Sequence, residues 1–307
     1  MNDNPDVLRK HHTERLDGAI TVDFEDWRCA LDPDPKADYR NRPEADAEYL
    51  KNAARDMLRE LDAFDAKGTF FVLGEVAKAV PETLQEISRR GHEIASHSPV
   101  HLPPRMIPRE EYRQLVARDV ELIEQVTGKR PLGFRVPYLS ITRSDGWILS
   151  LLADLGFQYD SSVAPTWTPY WGIPFAPKSP YFPDFTDLSK QSHQTRIVEV
   201  PLTVWPSWKH LPGLPIAGGF YMRVWPKRVL HFMMNNNSDR GQRLNLYIHP
   251  GNLQSTKTVI QKPTFRDKLS QYSRLEHGLP SFQSIMREFR FGTISQVFSD
   301  CMPNSRN

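Results

Sequence analysis

Thr69-Phe70-Phe71-Val72-Leu73 is a run without charged side chains that is rich in aromatic and β-branched residues. Runs of this composition are typical of strands in parallel sheets, which helices cover on both faces. The following segment, 75–90, has helical character and stops before Gly91, which suits the left-handed position that follows many helices. A buried strand joined to a helix in this way predicts a parallel sheet or barrel assembled from βα units.

Strands and helices continue to alternate in both directions from this unit. Further strands are predicted at 19–24, 92–96, 132–136, 157–160, 196–204 and 243–249. Further helices are predicted at 46–64, 109–127, 144–155 and 226–235. These elements predict an α/β fold, a distorted (β/α) barrel over 19–250, preceded by a polar N-terminal arm at 1–18. Residues 251–307 are predicted to form an appended helical segment that packs on the barrel, because apolar residues recur at helical spacing over 282–289.

The composition is that of a globular protein with no marked preference for nucleic acid. The chain has 307 residues, and its 39 basic and 37 acidic side chains give a net charge of +2. A charge this balanced argues against a nucleic-acid or anionic-membrane surface. The polar start and the absence of any apolar run of about 18 residues predict neither a signal peptide nor a transmembrane segment. We therefore expect a cytoplasmic protein, the inner membrane face included, with Cys29 and Cys301 as reduced structural thiols.

Two histidines four residues apart form the first candidate site. In His97-Ser98-Pro99-Val100-His101, a helical turn capped by Ser98, with Pro99 at its first position, would place both imidazoles on one side. Imidazoles placed in this way can share one cation. Polar loop histidines also occur at this spacing, so the pair alone does not establish a metal site.

Three acidic residues in Asp23-Phe24-Glu25-Asp26 follow the first predicted strand. In parallel barrels the carboxyl ends of the strands carry the chemistry. Carboxylates this close together repel one another unless a cation or a shared proton offsets their charge. The alternative is a solvated acidic turn at the end of a strand.

Arg135 and His249 each end another predicted strand. Arg135 could pair with a carboxylate, and His249 could act as a general acid near a metal. Each also has a structural alternative, a surface arginine and a histidine at the edge of the core. All four signals fall at strand ends of one βα array, and folding alone does not require this coincidence.

The order of these segments and their amino-acid sequences resemble those of the NodB-homology polysaccharide deacetylases, carbohydrate esterase family 4. The segments that carry the resemblance are 21–26, 67–74, 91–101, 135–138, 156–162 and His249. Two later stretches, 216–221 and 286–294, resemble a subfamily that has a characteristic C-terminal extension and is linked to exopolysaccharide production. The resemblance implies a distorted (β/α) barrel of the NodB-homology type with an appended C-terminal helical segment.

The resemblance also implies roles for individual residues. His97 and His101 would be metal ligands, and His249 would be the general acid. Arg135 would orient the catalytic carboxylate, and the backbone N–H of Tyr138 would help to bind the oxyanion. Asp160, whose surroundings differ from the family's usual pattern, would orient His249.

The first motif departs from the family's usual pair of adjacent aspartates. A gapless match makes Glu25 the catalytic base and Asp26 the metal ligand. The alternative makes Asp23 the base and places Glu25 or Asp26 on the metal. We favour Asp23, because Thr21-Val22-Asp23 preserves the approach of the strand to the site.

The implied activity is the hydrolytic removal of acetyl groups, with N-acetyl preferred, from a polysaccharide that contains amino sugars or from its precursor. A single divalent metal, expected to be Zn²⁺, would lower the pKa of a bound water toward roughly 7 and polarise the acetyl carbonyl. Asp23 would take the proton of this water, and His249 would protonate the departing amine. The expected substrate is an acetylated amino sugar, an oligosaccharide or a lipid-linked glycan.

A segment between Pro165 and Pro183 combines many prolines with aromatic residues and predicts a long ordered loop. Its rings would form a platform for a sugar or bury the loop against the barrel, and we expect a mixture. The aromatic residues in and next to this loop are Trp167, Tyr170, Trp171, Phe175, Tyr181, Phe182 and Phe185.

Two other functions stay open on the sequence. One is a non-catalytic carbohydrate-binding module with a metal-free pocket. The other is a metal amidohydrolase acting on a small non-sugar amide, because a fold does not fix its substrate. The sequence leaves open which sugar is bound, whether the acetyl group is on nitrogen or oxygen, and the oligomeric state.

Overall fold

The computed structural model of the protein describes residues 15–30, 40, 44–168, 171–206, 211–253 and 272–303. Most of the predicted arm at 1–18, part of the predicted C-terminal extension, and Tyr170 lie outside these residues. The strands are β1 (Gly18–Phe24), β2 (Thr69–Val72), β3 (Glu93–Ser96), β4 (Gly133–Phe134), β5 (Tyr159–Asp160), β6 (Pro183–Asp184), β7 (Asp187–Gln191), β8 (Val198–Glu199), β9 (Val204–Trp205), β10 (Leu214–Pro215), β11 (Leu244–Ile248) and β12 (Phe291–Gly292). The α-helices are α1 (Ala47–Asp62), α2 (Gly74–Ala79), α3 (Pro81–Arg89), α4 (Arg109–Thr127), α5 (Gly146–Asp154), α6 (Gly219–Val224), α7 (Lys227–Asp239), α8 (Gly278–Glu288) and α9 (Ile294–Val297).

One parallel sheet organises the described part of the chain. Its strands lie in the order β11-β1-β2-β3-β4-β5-β8, and β12 also pairs with β1 in parallel. The sheet forms a half-barrel with helices on its outer face. The predicted α/β class and distorted (β/α) barrel are confirmed.

Strand β1 shows how the sheet positions the site. All seven of its residues are buried. Ile20, Val22 and Phe24 belong to the apolar core that also contains the buried face of α1. Successive side chains of a strand point to opposite faces, so Thr21 and Asp23 face the other way, where both contact the same arginine.

The segment that follows β8 runs back to β11 and forms hydrogen bonds with that strand. The backbone N–H of Thr203 donates to the carbonyl of Asn245 at 3.1 Å, and the N–H of Asn245 donates to Thr203 Oγ1 at 2.6 Å. The side-chain amide of Asn245 also donates to the carbonyl of Val200 at 2.9 Å. A buried asparagine therefore replaces part of the strand ladder at this seam.

The C-terminal region contributes to the sheet as well as packing on it. Phe282 and Ile285 of α8 are buried in the core shared with β1 and α1. Beyond α8, β12 pairs with Gly18 and Ala19 of β1. This strand was not predicted from the sequence, because a two-residue strand has no recognisable periodicity.

Several predicted boundaries were wrong. The helix predicted at 75–90 is two helices, because Pro81, which has no backbone N–H, occupies the first turn of α3. The strand predicted at 196–204 contains β8 and only the first residue of β9. The predicted loop 165–185 ends in a β6–β7 hairpin, and the short helix α6 was not predicted.

Candidate active site

The carboxyl ends of four strands meet around one group of charged side chains. Asp23 lies near the end of β1, and Glu25 follows that strand immediately. His97, Arg135 and His249 directly follow β3, β4 and β11. Because the strands are parallel, these ends share one face of the half-barrel, which is where barrel enzymes place their chemistry.

Glu25 lies among three histidines. Its Oε2 is 2.9 Å from His101 Nε2 and 3.5 Å from His97 Nε2, and its Oε1 is 3.3 Å from His249 Nε2. Burial by itself raises the pKa of Glu25. The charges of His101 and His249, with the close contacts to His101 and His97, outweigh burial and hold this pKa well below its usual value. Glu25 is therefore a buried carboxylate aimed at imidazole nitrogens.

The backbone fixes the ring of His97. Its Nδ1 lies 2.8 Å from the carbonyl oxygen of Arg135, so Nδ1 carries the proton and Nε2 faces Glu25. Burial lowers the pKa of His97, but the contact with Glu25 and the charges of Asp23 and Glu25 raise it more, and the net direction is upward.

The segment 97–101 is a bend and not the predicted helical turn, so Ser98 does not cap a helix and Pro99 does not begin one. Ser98 has a φ of +81°. The carbonyl of Ser98 accepts from Gly74 N–H at 3.1 Å, and that of Pro99 accepts from Glu75 N–H at 3.2 Å. These carbonyls bind the first turn of α2 instead of closing a turn of their own. The two histidine rings still approach, with centroids 5.5 Å apart.

Arg135 holds Asp23 from one side. Its Nη1 donates to Asp23 Oδ1 at 2.6 Å and to Thr21 Oγ1 at 2.9 Å. Its Nε and Nη2 donate to the carbonyl and hydroxyl of Ser161 at 2.8 and 2.9 Å, and the guanidinium lies 4.0 Å from the ring centre of Phe71. Arg135 donates to Oδ1 of Asp23, and the other carboxylate oxygen, Oδ2, lies 3.8 Å from His249 Nε2.

Asp26 has a different set of contacts from Glu25. Its carboxylate forms an ion pair with Arg28 and accepts from the backbone N–H of Asp46 at 3.0 Å. It also accepts from Arg28 N–H at 2.8 Å. Asp26 therefore stabilises the loop after β1. Of the two acids proposed as metal ligands, Glu25 is the one that contacts the histidines.

The group around Glu25 fits a metal ion by the chemistry of its donors. Glu25 Oε2 is buried and makes no hydrogen bond within the described residues, although His101 Nε2 is near. Among those residues, Glu25, Cys29 and His101 offer ligand atoms that all lie within 4.8 Å of one another. His97 reaches the same carboxylate oxygen at 3.5 Å but is not part of this tightest set. Imidazole, carboxylate and thiol are the donors that zinc takes in proteins.

Tyr138 lies next to this cluster in a strained conformation. Its φ is +58° and that of Leu139 is +49°, values that bulky residues rarely adopt. The ring of Tyr138 contacts that of His101, with centroids 4.1 Å apart and ring planes tilted by 49°. These two backbone conformations make the chain turn sharply at the edge of the candidate site.

The residue beside His249 is Asn252, and the hydrogen bonds of Asp160, which was predicted to orient His249, are with other residues. Asn252 Oδ1 lies 3.3 Å from His249 Nδ1 and accepts from His249 N–H at 2.8 Å. Asp160 accepts instead from the N–H and hydroxyl of Ser162 at 3.1 and 2.8 Å. It is also the direct cross-strand neighbour of Glu199, whose side chain it contacts.

Asp160 and Glu199 form a buried carboxyl pair behind Arg135. Burial raises the pKa of Asp160, and burial together with the charge of Asp160 raises the pKa of Glu199 well above its usual value. Like charges this close favour one shared proton. The positive charge of Arg135 acts in the opposite direction and lowers both pKa values.

Three residues of the site escaped the sequence interpretation. Asn252 lies three residues beyond His249, Ser161 follows β5, and Cys29 lies four residues beyond Glu25. Asparagine and serine after a strand are ordinary turn residues. The only available signal for Cys29 was its closeness in sequence to the acidic motif.

The rings of the loop 165–185 divide between surface and interior. Trp167 and Phe175 are 67% and 63% exposed. Tyr181 is buried, and its hydroxyl donates to the carbonyl of Leu188 at 2.6 Å. Trp171 packs edge-on against Tyr221 with centroids 6.3 Å apart.

None of the helices in the described residues combines the length and apolar character that a membrane span requires.

Comparison with known proteins relates two segments of the chain to described families. Residues 45–159 match the family described as Polysaccharide deacetylase, and residues 161–299 match a domain of unknown function, DUF3473. A peptidoglycan-N-acetylglucosamine deacetylase of Bacillus cereus is 32% identical over 82 residues, which are 27% of this chain and 30% of the relative. A peptidoglycan deacetylase of Helicobacter pylori is 28% identical over 116 residues, 38% of this chain and 39% of the relative.

The chain thus spans well under half the length of these two curated relatives. A crystal structure from Mycobacterium smegmatis, described provisionally as a polysaccharide deacetylase, shares the fold with a TM-score of 0.60 at 22% identity. That comparison covers 95% of this chain and 92% of the other. By its family match and its relatives, the segment 45–159 belongs to the NodB-homology polysaccharide deacetylase family.

Proposed function

We propose that the protein is a metal-dependent hydrolase that removes N-acetyl groups from an acetylated amino-sugar polymer or its precursor. The observation that carries this proposal is the buried Glu25 carboxylate among His97, His101 and His249, with Asp23 beside them. A hydrolase of this kind needs cation ligands, a base and an acid in one place. All of these groups lie at the same strand ends.

His97, His101 and Glu25 would hold the divalent cation, for which zinc is the best match to the donor set. The cation would supply Lewis-acid chemistry to the acetyl carbonyl and the attacking water. Glu25 takes the ligand role in preference to Asp26, because Asp26 is held by Arg28 and Asp46.

Asp23 would be the general base. Arg135 binds Oδ1, so Oδ2 is the oxygen that can accept a proton from water. The three residues that hold Arg135 keep it in one orientation, and through it the carboxylate of Asp23. The backbone N–H of Tyr138 would contribute to binding the oxyanion as the carbonyl is attacked.

His249 would be the general acid that protonates the departing amine. Its side chain is 37% exposed, so a substrate can reach it, whereas His97 and His101 are almost fully buried. Asn252 Oδ1 lies next to Nδ1 and would keep the ring oriented with Nε2 toward the site.

Trp167 and Phe175 would contribute apolar surface to bind sugar rings, since flat rings with polar edges suit aromatic side chains. The relatives named for peptidoglycan deacetylation support a polymer of amino sugars as the substrate class. By the resemblance of segments 216–221 and 286–294, the protein would act in exopolysaccharide production. A lipid-linked glycan precursor would also carry the required acetyl group.

The test combines metal content with acetate release. Wild type, a His97→Ala/His101→Ala variant and a His193→Ala/His277→Ala control are loaded with zinc and analysed for metal. Acetate release is then measured from N-acetylglucosamine oligomers and from a simple acetamide.

We expect about one zinc per chain and acetate release in wild type and control, with both lost in the first variant. Acetate release from the simple amide but not from the oligomers would contradict the sugar substrate. A wild-type protein without zinc would contradict the mechanism and favour a carbohydrate-binding module.

A further inference from the structure

Cys29 lies inside the cluster that would hold the metal. Its thiol is within 4.8 Å of ligand atoms of both Glu25 and His101. The side chain is buried, with 4% exposed. It is carried by a short 3-10 helix, Trp27–Ala30, that follows the acidic motif directly.

The loop after β1 holds this thiol in place. The backbone N–H of Cys29 donates to the carbonyl of Asp26 at 3.1 Å. The carboxylate of Asp26 is itself bound by Arg28 and by the N–H of Asp46 at the start of α1. Asp26 thus anchors the turn that carries Cys29 to Glu25.

A second observation points to a ligand in the same space. Glu25 Oε2 is buried and makes no hydrogen bond within the described residues, yet it faces the imidazole nitrogens. Buried carboxylate oxygens nearly always have partners. A cation between these atoms would satisfy Glu25 and bring nitrogen, oxygen and sulfur donors together.

We propose that Cys29 is a fourth protein ligand of the metal held by His97, His101 and Glu25. This proposal rests on the metal site of the proposed function and adds a thiolate to it. The donor set becomes two nitrogens, one oxygen and one sulfur. Ligand atoms around a tetrahedral zinc lie about 3.3 to 3.8 Å apart, so small movements are sufficient for Glu25, Cys29 and His101, whose ligand atoms lie within 4.8 Å of one another. His97 Nε2 joins them through Glu25 Oε2, from which it is 3.5 Å away.

Binding of Cys29 to the cation requires the loss of a proton and no oxidant. The S–H bond of Cys29 breaks, its proton leaves to solvent, and the thiolate forms a bond to the cation. A soft thiolate favours zinc and cobalt over magnesium and calcium. Catalytic zinc sites can expand to five-coordinate, so ligation by Cys29 is compatible with substrate binding.

The consequence is tighter and more selective metal retention than two imidazoles and one carboxylate provide. Removal of the thiol should lower zinc affinity by at least about tenfold, since even the outer partners of metal ligands have effects of that size.

The test uses cobalt(II) as a spectroscopic substitute for zinc. Wild type, Cys29→Ser, Cys29→Ala and a Cys301→Ser control are loaded with cobalt(II), and their near-ultraviolet spectra are recorded. We expect a thiolate-to-cobalt charge-transfer band in wild type and control that is absent in both Cys29 variants. Zinc retention against a chelator should fall only in the Cys29 variants.

The same question can be asked of the unmodified protein, which avoids any failure of a variant to fold. X-ray absorption at the zinc edge should show one sulfur neighbour at about 2.3 Å. One bound metal per wild-type chain with no sulfur neighbour and no charge-transfer band would overturn the role of Cys29 and leave the proposed function intact. Failure of the wild type to bind either metal would overturn both.

Discussion

Arg135 Nη1 lies 2.6 Å from Asp23 Oδ1, and both side chains are buried, with 0% and 5% exposed. The pair joins β1 to the end of β4 across the interior of the half-barrel. Removing one partner of such a pair leaves an uncompensated buried charge. The contact is therefore both a structural link and the device that orients the candidate base.

Asp23→Asn should retain about one zinc per chain and lose acetate release by a factor of at least about 100, the usual contribution of a general base. The amide still accepts from Arg135 but cannot take a proton from water. Metal analysis and kcat on the same sample check this. Activity within a few-fold of wild type would assign the base elsewhere.

Glu25→Gln and Asp26→Asn should have opposite effects. Glu25→Gln should lose zinc, because its carboxylate faces His97 and His101. Asp26→Asn should keep zinc but lower the free energy of unfolding by about 1–3 kcal/mol, because its charged contacts with Arg28 are weakened. Zinc titration and urea unfolding distinguish the two. Loss of zinc from Asp26→Asn alone would reverse our choice of ligand.

Asn252→Ala should lower kcat by about tenfold with little change in KM, because His249 loses the oxygen next to its Nδ1. Asn252→Asp retains an acceptor at that position and should recover most of the rate. Nitrogen NMR of the His249 ring should show an altered tautomer or ring environment in Asn252→Ala only. If neither kcat nor the spectrum changes, Asn252 does not position His249.

Asp119 should make the protein less stable as pH rises. Burial raises its pKa to about 7, above the value near 4 expected in the unfolded chain. A group with a raised folded-state pKa contributes stability below its unfolded pKa and loses it as pH rises through the folded value. Wild type should therefore lose on the order of 3 kcal/mol between pH 4.5 and pH 8 relative to Asp119→Asn. Urea unfolding at both pH values measures this, and parallel pH dependences would disprove it.

Trp167→Ala should raise KM for sugar oligomers by roughly 2- to 10-fold at constant kcat. A change of this size is expected when one contact between an aromatic ring and a sugar is lost. Phe232→Ala is a matched control, since this ring is 62% exposed on α7, outside the loop. Equal KM values for both variants and wild type would remove the aromatic loop from the binding site.

The sequence predicted much of the framework because its signals are local. The apolar run in β2, the helical spacing in α4 and Gly128 at its C-terminus can each be recognised without knowing the fold. The same holds for His97, His101, Arg135 and His249, whose positions after predicted strands indicated a shared face. Parallel strands bring their carboxyl ends together regardless of the sequence between them.

Contacts between distant segments decided the rest. Alternation along β1 directs Asp23 inward, but the strand ends at Phe24, so periodicity does not orient Glu25 or Asp26. Their roles separate only because Asp26 meets Arg28 and Asp46, while Glu25 meets histidines from β3 and β11. In the same way, Asn252 lies beside His249, whereas the carboxylate of Asp160 accepts a hydrogen bond from Ser162 and lies opposite Glu199 on the next strand. The sequence alone determined which residue types reach the strand ends, and only the tertiary structure decided which of them are close enough to act together.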